Sequence, residues 1–248
     1  MTSFEPAHFP DLFFHQVKHL GDKVALRHKD YGIWNRISWN DYGSRVHTAA
    51  AGCLAAGIDL GHRIAILGDN RPEWLICHLG AMTVGGVTCG IYPTSSSEEI
   101  EYVVEHSESK ILFVENEEQI DKVLQIVDRL NVLKIVVWDQ QGLWGFSHPR
   151  VVFYDAFMES GKARLQAMPA CVKDRLAAIH RDDVAMMIYT SGTTGRPKGA
   201  MISHENILSL TESMVSILGK KDNDELLSYL PLAHIYENLI SVFQAVWT

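Results

Sequence analysis

Apolar positions along the chain form short runs and helical stripes that alternate almost from end to end. Phe13, Val17 and Leu20 share one helix face, and Gly21 closes that helix. Residues 23–28 and 33–39 flank Asp30-Tyr31-Gly32, a turn signal, and predict a hairpin. From residue 40 the rhythm changes. An Ala-rich helix is expected over 42–56, ended by Gly57, and then a short apolar strand over 63–67. Asn70 and Pro72 read as the N-cap and first-turn proline of the next helix, with Trp74 in the core. Further strands are expected at 87–92, 110–114, 133–138 and 184–189. Between the first of these lie helices over 100–106, opened by a Ser96/Glu99 capping box, and over 119–130.

Short apolar strands separated by helices make β-α-β units. The fold class is therefore α/β: largely parallel sheets flanked by helices, with a small N-terminal hairpin. Residues 139–182 break the rhythm with Gly142, Gly145, Pro149 and Pro169, and read as an elaborated surface connection with one strand near 150–154 and short helices. Beyond the strand at 184–189, Ser203 caps a helix whose Ile207, Leu210, Met214 and Leu218 share a face. A further strand is expected over 226–230 and a helix over 236–247. With no repeat or low-complexity linker, one domain is expected.

Composition narrows the function classes. The 248 residues are 47% apolar, enough for a sizeable core, and 21% charged residues with 18 Gly and 8 Pro exclude disorder and collagen-like order. Lys+Arg 22 against Asp+Glu 30 gives a formal charge of −8, with no block of like charge, so nucleic acid is not an expected partner. No apolar stretch approaches the about 20 residues that span a bilayer. The first residues lack a signal-peptide pattern, so a cytoplasmic location is expected. No basic amphipathic helix is visible, so no membrane contact is expected from this segment. The sequence is silent on oligomeric state.

Cys53, Cys77, Cys89 and Cys171 form no C-x-x-C pair or Cys/His metal spacing and read as buried thiols. Glu98, Glu99 and Glu101 read as a solvated helix start, and Met186-Met187 as core.

The segment that carries chemistry is Tyr189-Thr190-Ser191-Gly192-Thr193-Thr194-Gly195-Arg196-Pro197-Lys198-Gly199, directly after a buried strand. Glycines let backbone N–H groups turn inward around an anion, and Ser/Thr hydroxyls add donors without bulk. Lys198 adds a mobile point charge suited to phosphate. Together they make a polyphosphate cradle. The segment is neither a Walker A loop, which needs G-x-x-x-x-G-K-[ST], nor a G-x-G-x-x-G loop.

T-S-G-T-T-G-R-P-K-G resembles the phosphate-loop signature of the AMP-forming acyl-CoA synthetases, the adenylate-forming enzymes. Leu230-Pro231-Leu232-Ala233-His234 is similar to that family's P-L-x-H segment. Asn70-Arg71-Pro72-Glu73-Trp74 and Ile91-Tyr92-Pro93-Thr94-Ser95-Ser96 resemble its long-chain fatty-acyl branch, although helix-start and turn roles also account for them. The resemblance spans residues 10–248 and implies a two-step reaction. A fatty acid is activated by ATP with Mg²⁺ to acyl-AMP, and CoA, the co-substrate, then displaces AMP.

Carried over position by position, the resemblance implies that Ser191, Gly192, Thr193, Thr194, Gly195 and Lys198 hold the β/γ-phosphates. Thr190 becomes a cofactor-binding residue and candidate Mg²⁺ ligand, while Lys198 and His234 become catalytic candidates. Arg196 and Pro197 only shape the loop. Glu237 keeps the plain reading of an acid at a helix start. Adenylation of an aryl, amino or medium-chain acid remains an alternative, as does a non-catalytic nucleotide-binding module.

The family's Y-G-x-T-E and Y-x-T-G-D segments, and its small C-terminal domain with the adenylation lysine, do not occur in these residues. Residues 1–248 are thus expected to be a partial, truncated N-terminal AMP-binding domain that does not sustain turnover alone.

Overall fold

The computed structural model describes residues 4–190, 196–218 and 224–247. A first helix, α1 (Phe9–Leu20), starts at His8, whose Nδ1 accepts from Asp11 N, and ends at Gly21 with φ +55°. Strands β1 (Val24–Asp30) and β2 (Ile33–Ser38) form a separate antiparallel hairpin. Helix α2 (Trp39–Ala55) follows directly, capped by Ser38 Oγ.

Seven strands make the main sheet: β3 (Arg63–Leu67), β4 (Val87–Ile91), β5 (Ile111–Val114), β6 (Lys134–Val137), β7 (Val151–Phe153), β8 (Val184–Thr190) and β9 (Lys198–Ser203). Their spatial order is β7-β6-β5-β3-β4-β8-β9, parallel throughout except for the β8–β9 pair. Alternate side chains enter opposite cores, as the two-residue period of a strand requires. Ile64, Ile66, Ile111, Phe113 and Val136 join the core beneath α2 and α3 (Pro72–Thr83). Ala65, Leu67, Leu112, Val114, Ile135 and Val137 join the one beneath α4 (Ser97–His106) and α5 (Glu117–Leu124). The connection from β3 to β4 runs over one face and that from β4 to β5 over the other. The strand order therefore switches at β3/β4, opening a crevice at their C-terminal ends.

Several expectations change. The helix expected over 119–130 stops at Leu124 and continues as a 3₁₀ turn, Val127–Arg129. Gln125 at its end accepts from Ser97 Oγ instead (3.1 Å). Residues 139–182 hold the expected strand, β7, but their helices are more than surface decoration: the 14-residue α6 (Tyr154–Ala167), followed by α7 (Cys171–Leu176), packs into the core. Phe157 of α6 is 2% exposed and meets Phe113 edge-on at 5.3 Å. At Gly161 a Cβ would come within 2.2 Å of Thr48 O, so α6 lies backbone-close on α2.

Strand β9 is unforeseen. Helix α8 (His204–Leu218) does start at Ser203, whose Oγ accepts from Asn206 N, but its buried face is His204, Ile207, Leu208 and Thr211, while Leu210 is exposed. No strand forms over 226–230: Leu226, Leu227 and Tyr229 are exposed, and no ladder partner meets them among the described residues. The final helix runs through Ile235–Asn238, a π-helical stretch Leu239–Gln244, and Ala245–Trp247. All four cysteines are buried and unpaired by disulfide. Among the described residues no helix is long and apolar enough to cross a membrane.

Candidate functional site

Strand β8 runs parallel to β4 and ends at Thr190, level with the C-terminal edge of the sheet. The chain returns antiparallel in β9, with Lys198 paired directly to Thr190. The hydroxyl-rich segment is therefore the connection of a β-hairpin, and its two ends, both exposed, present a hydroxyl and an ammonium side by side. Ser191, Gly192, Thr193, Thr194 and Gly195 lie outside the described residues.

The returning limb is held from α4. Tyr102 Oη donates to Pro197 O at 2.8 Å, and the Arg196 guanidinium lies 5.3 Å from the centre of the Tyr102 ring. Tyr189 Oη and His106 Nδ1 lie 2.9 Å apart, tying β8 to the same helix. Burial pushes the Tyr189 phenol up to about 12, so it stays neutral. Across the ladder from Tyr189 stands Gly199, where a Cβ would lie 3.2 Å from the Tyr189 ring and 2.7 Å from Met187. Arg196 and Pro197, expected only to shape the loop, are its anchored limb. Tyr102 went unpredicted, because no local sequence signal links residues 95 positions apart.

The second component is the segment Leu230–His234, which crosses the C-terminal end of β4. A Cβ at Gly90 would stand 2.7 Å from Ala233 Cα, so the two backbones touch through the glycine. Asn70, at the end of β3, holds the segment. Its Nδ2 donates to Leu230 O and Ser228 Oγ (2.7 Å each), and its Oδ1 accepts from Leu232 N (3.1 Å). Asn70 is thus not the N-cap of α3; Arg71 occupies that position with no side-chain cap bond. Glu237 does stand in the first turn of the last helix, as expected, but it is turned inward. It is 3% exposed and accepts from Leu230 N (3.3 Å) and Ser241 Oγ (2.5 Å).

Asn238 Nδ2 donates to Leu232 O at 3.0 Å. Next to it lies the wholly buried His78, whose pKa burial pushes down to about 3 with the Asn238 amide opposing. His234 itself caps the last helix. Its Nδ1 accepts from Tyr236 N (3.2 Å) and its ring is exposed, so the neutral imidazole carries its proton on Nε2.

Glu115, at the end of β5, fixes the loop that carries Asn70. Its buried carboxylate accepts from Asp69 N (2.6 Å) and Arg71 Nε (3.3 Å), with Asp139 3.9 Å from the same guanidinium. The one sequence signal for it was an acid directly after the apolar run Ile111–Val114. Tyr92-Pro93-Thr94 keeps a turn role: Pro93 O accepts from Gln119 Nε2 (3.1 Å) and Lys122 Nζ (2.8 Å).

An exposed cation and hydroxyl at the mouth of a Ser/Thr/Gly loop fit a polyphosphate. For Mg²⁺ the fit is narrower. The Thr190 hydroxyl is the one expected ligand, and no group of three or more His, Cys, Asp or Glu among the described residues could hold a metal. Mg²⁺ commonly binds through substrate phosphates and water, a role that asks little more of the chain.

The sequence model of the AMP-binding enzyme family matches residues 13–247. Among curated proteins, the chain is 35% identical over 248 residues to a Xenopus laevis protein named long-chain-fatty-acid–CoA ligase ACSBG2, covering 98% of this chain and 33% of that protein. To its human namesake it is 34% identical over 240 residues, covering 96% of this chain and 35% of that one. The chain thus spans about a third of the length of these relatives.

Solved structures with the same fold include ATP-bound MatB from Rhodopseudomonas palustris, with TM-score 0.69, 22% identity and coverage of 96% of this chain and 43% of that one. Another is the fatty acyl-adenylate ligase from L. pneumophila in complex with acyl adenylate and pyrophosphate, with TM-score 0.76 and 19% identity, covering 98% and 38%.

Proposed function

The chain belongs to the AMP-binding enzyme family, and we propose that it carries the triphosphate-binding part of a ligase that activates a long-chain fatty acid. One observation carries this reading: Thr190 and Lys198 pair at the same sheet edge where Ala233 rests on Gly90. A phosphate-seeking cation and an exposed imidazole thereby share one rim of the sheet.

In the first step a carboxylate oxygen of the fatty acid bonds to the α-phosphorus of ATP, and the bond to the β-phosphate breaks to release pyrophosphate. Lys198 offsets the charge that builds on the departing phosphates, worth most where donors are already in place. The hydroxyl- and glycine-rich composition of 191–195 would add donors to the same anion, and the Thr190 hydroxyl would serve as a ligand to the metal or to its water. His234, donating from Nε2, orients the carboxylate or the acyl phosphate. Mg²⁺, when bound, neutralises part of the triphosphate charge. In the second step the CoA thiolate attacks the acyl carbon and AMP leaves. The names of the 30–35% identical relatives support a long acyl chain.

The test is ATP–pyrophosphate exchange by the whole ligase that carries these residues, driven by carboxylates of graded chain length, with Lys198→Ala as control. Exchange driven best by long fatty acids and lost in the variant is expected. Exchange driven best by aryl or amino acids overturns the substrate assignment. ATP binding with no exchange for any acid reduces the function to nucleotide binding.

A further inference from the structure

We propose that the β1–β2 hairpin docks the protein on an anionic lipid bilayer. Residues 23–36 carry Lys23, Arg27, Lys29 and Arg36 against Asp30 alone, in a chain whose formal charge is −8. The ladder register sorts these cations. Arg27 stands opposite Arg36, and Lys29 opposite Trp34, so these three cations and the tryptophan share one face, while Lys23 directly precedes the ladder. Leu26 and Ile37, paired on the other face, pack toward the core. Two arginines directly across a ladder repel each other. The acids near them are few: Glu225 pairs with Arg27 at 2.5 Å, Asp30 sits on the opposite face across from Ile33, and Asp22 accepts from Asn40. Lys29 and Arg36 are exposed, and no ion pair engages them among the described residues.

The tip adds an apolar element. Tyr31, Ile33 and Trp34 are 88%, 67% and 59% exposed. Tyr31 also holds φ +45°, in the left-handed region, followed by Gly32 at +81°. Such a two-residue turn favours Asn or Gly at its first position, so the tyrosine ring is kept there against backbone preference. A soluble anion would satisfy the arginines and leave the tip in water. A bilayer accepts both, since Trp and Tyr settle at the headgroup level and cations gain from the negative surface. No amphipathic helix is involved; cations and rings are carried by the hairpin.

Vesicle co-sedimentation of the whole chain tests the proposal, using phosphatidylcholine alone and phosphatidylcholine with phosphatidylserine. Binding is expected only with phosphatidylserine, weakening as salt rises and falling about fivefold for each cation removed, as in the double variant Lys29→Gln/Arg36→Gln. Trp34→Ser should weaken it further and remove most of the quenching of tryptophan fluorescence by brominated lipid. Circular dichroism checks that the variants stay folded; if they do not, salt dependence and brominated-lipid quenching of the unaltered chain decide. Equal binding to both vesicle types, or binding unchanged in the double variant, overturns the proposal. So does a DNA duplex that binds as tightly as vesicles with no effect of Trp34→Ser, which would mark a general polyanion surface.

Discussion

Strands β5 and β9 belong to one sheet and are built for opposite ends. Every residue of β5 is buried, its side chains filling both cores, and its parallel neighbours on either side satisfy its backbone. Strand β9 is an antiparallel edge with no residue fully buried, and it starts at an exposed lysine. The parallel body is made of interchangeable apolar volume; the hairpin edge is made of particular polar atoms. Changes in the body should therefore be felt as stability and changes at the edge as ligand affinity.

The sharpest break comes from Phe157→Ala, which empties the space between Phe113 and Gly52. A loss of about 3–5 kcal/mol is expected. Thermal unfolding would register it as roughly 2–4 °C per kcal/mol, while the folded variant keeps its ATP affinity. An ATP defect as large as that of Lys198→Ala would erase the distinction between the two regions.

Acid probes both regions at once. Burial lowers the pKa of His78, beneath the last helix, to about 3 and that of His204, at the start of α8, to about 4. His204 also feels His8, which lowers it further, and Asp183, which opposes. In the unfolded chain both titrate near about 6.5, so between that pH and their folded values the unfolded state binds more protons. Their contribution is fully present above pH 6.5 and declines as pH falls, by about 2 kcal/mol per histidine at pH 5. Urea unfolding at pH 7 and pH 5 measures the slope, and His204→Asn should flatten it. An unchanged slope would mean that His204 is charged in the fold.

Asn70→Ala should loosen the site segment and spare the body. Leu230 O and Leu232 N lose their partner, a local cost of about 1–3 kcal/mol. Amide exchange should accelerate at Leu232 and stay slow across β3 and β5. Smallest is Tyr102→Phe, which removes one hydrogen bond to Pro197 O, worth about 1 kcal/mol. A few-fold weaker ATP affinity with a fall of only about 2–4 °C in unfolding temperature is expected; no change in affinity would leave the tyrosine a packing residue.

The body was legible because its signals are local. Arg63–Leu67 is a strand within the expected limits, and the Ser96/Glu99 capping box forms as read. Period and capping depend only on neighbours a few residues apart. The edge was legible only as chemistry. The loop's composition suggested phosphate chemistry, whereas β9 and the lack of a strand at 226–230 depend on which segments find ladder partners. Asn70 and Glu237 illustrate the limit. Each carries an acceptable local role as a cap or a helix-start acid, and only tertiary contact shows both turned onto Leu230–Leu232.

The central claim is that the β8–β9 connection holds a triphosphate through Lys198. Calorimetric titration of ATP with Mg²⁺, and of pyrophosphate, into the chain and its Lys198→Ala variant tests it most directly. Both ligands are expected to bind the unaltered chain, and the variant to lose about tenfold to a hundredfold in affinity for each, as for a hydrogen bond to a charged group. The variant should unfold within about 0.5 kcal/mol of the parent, as for an exposed position. Equal affinity in chain and variant would contradict the central claim.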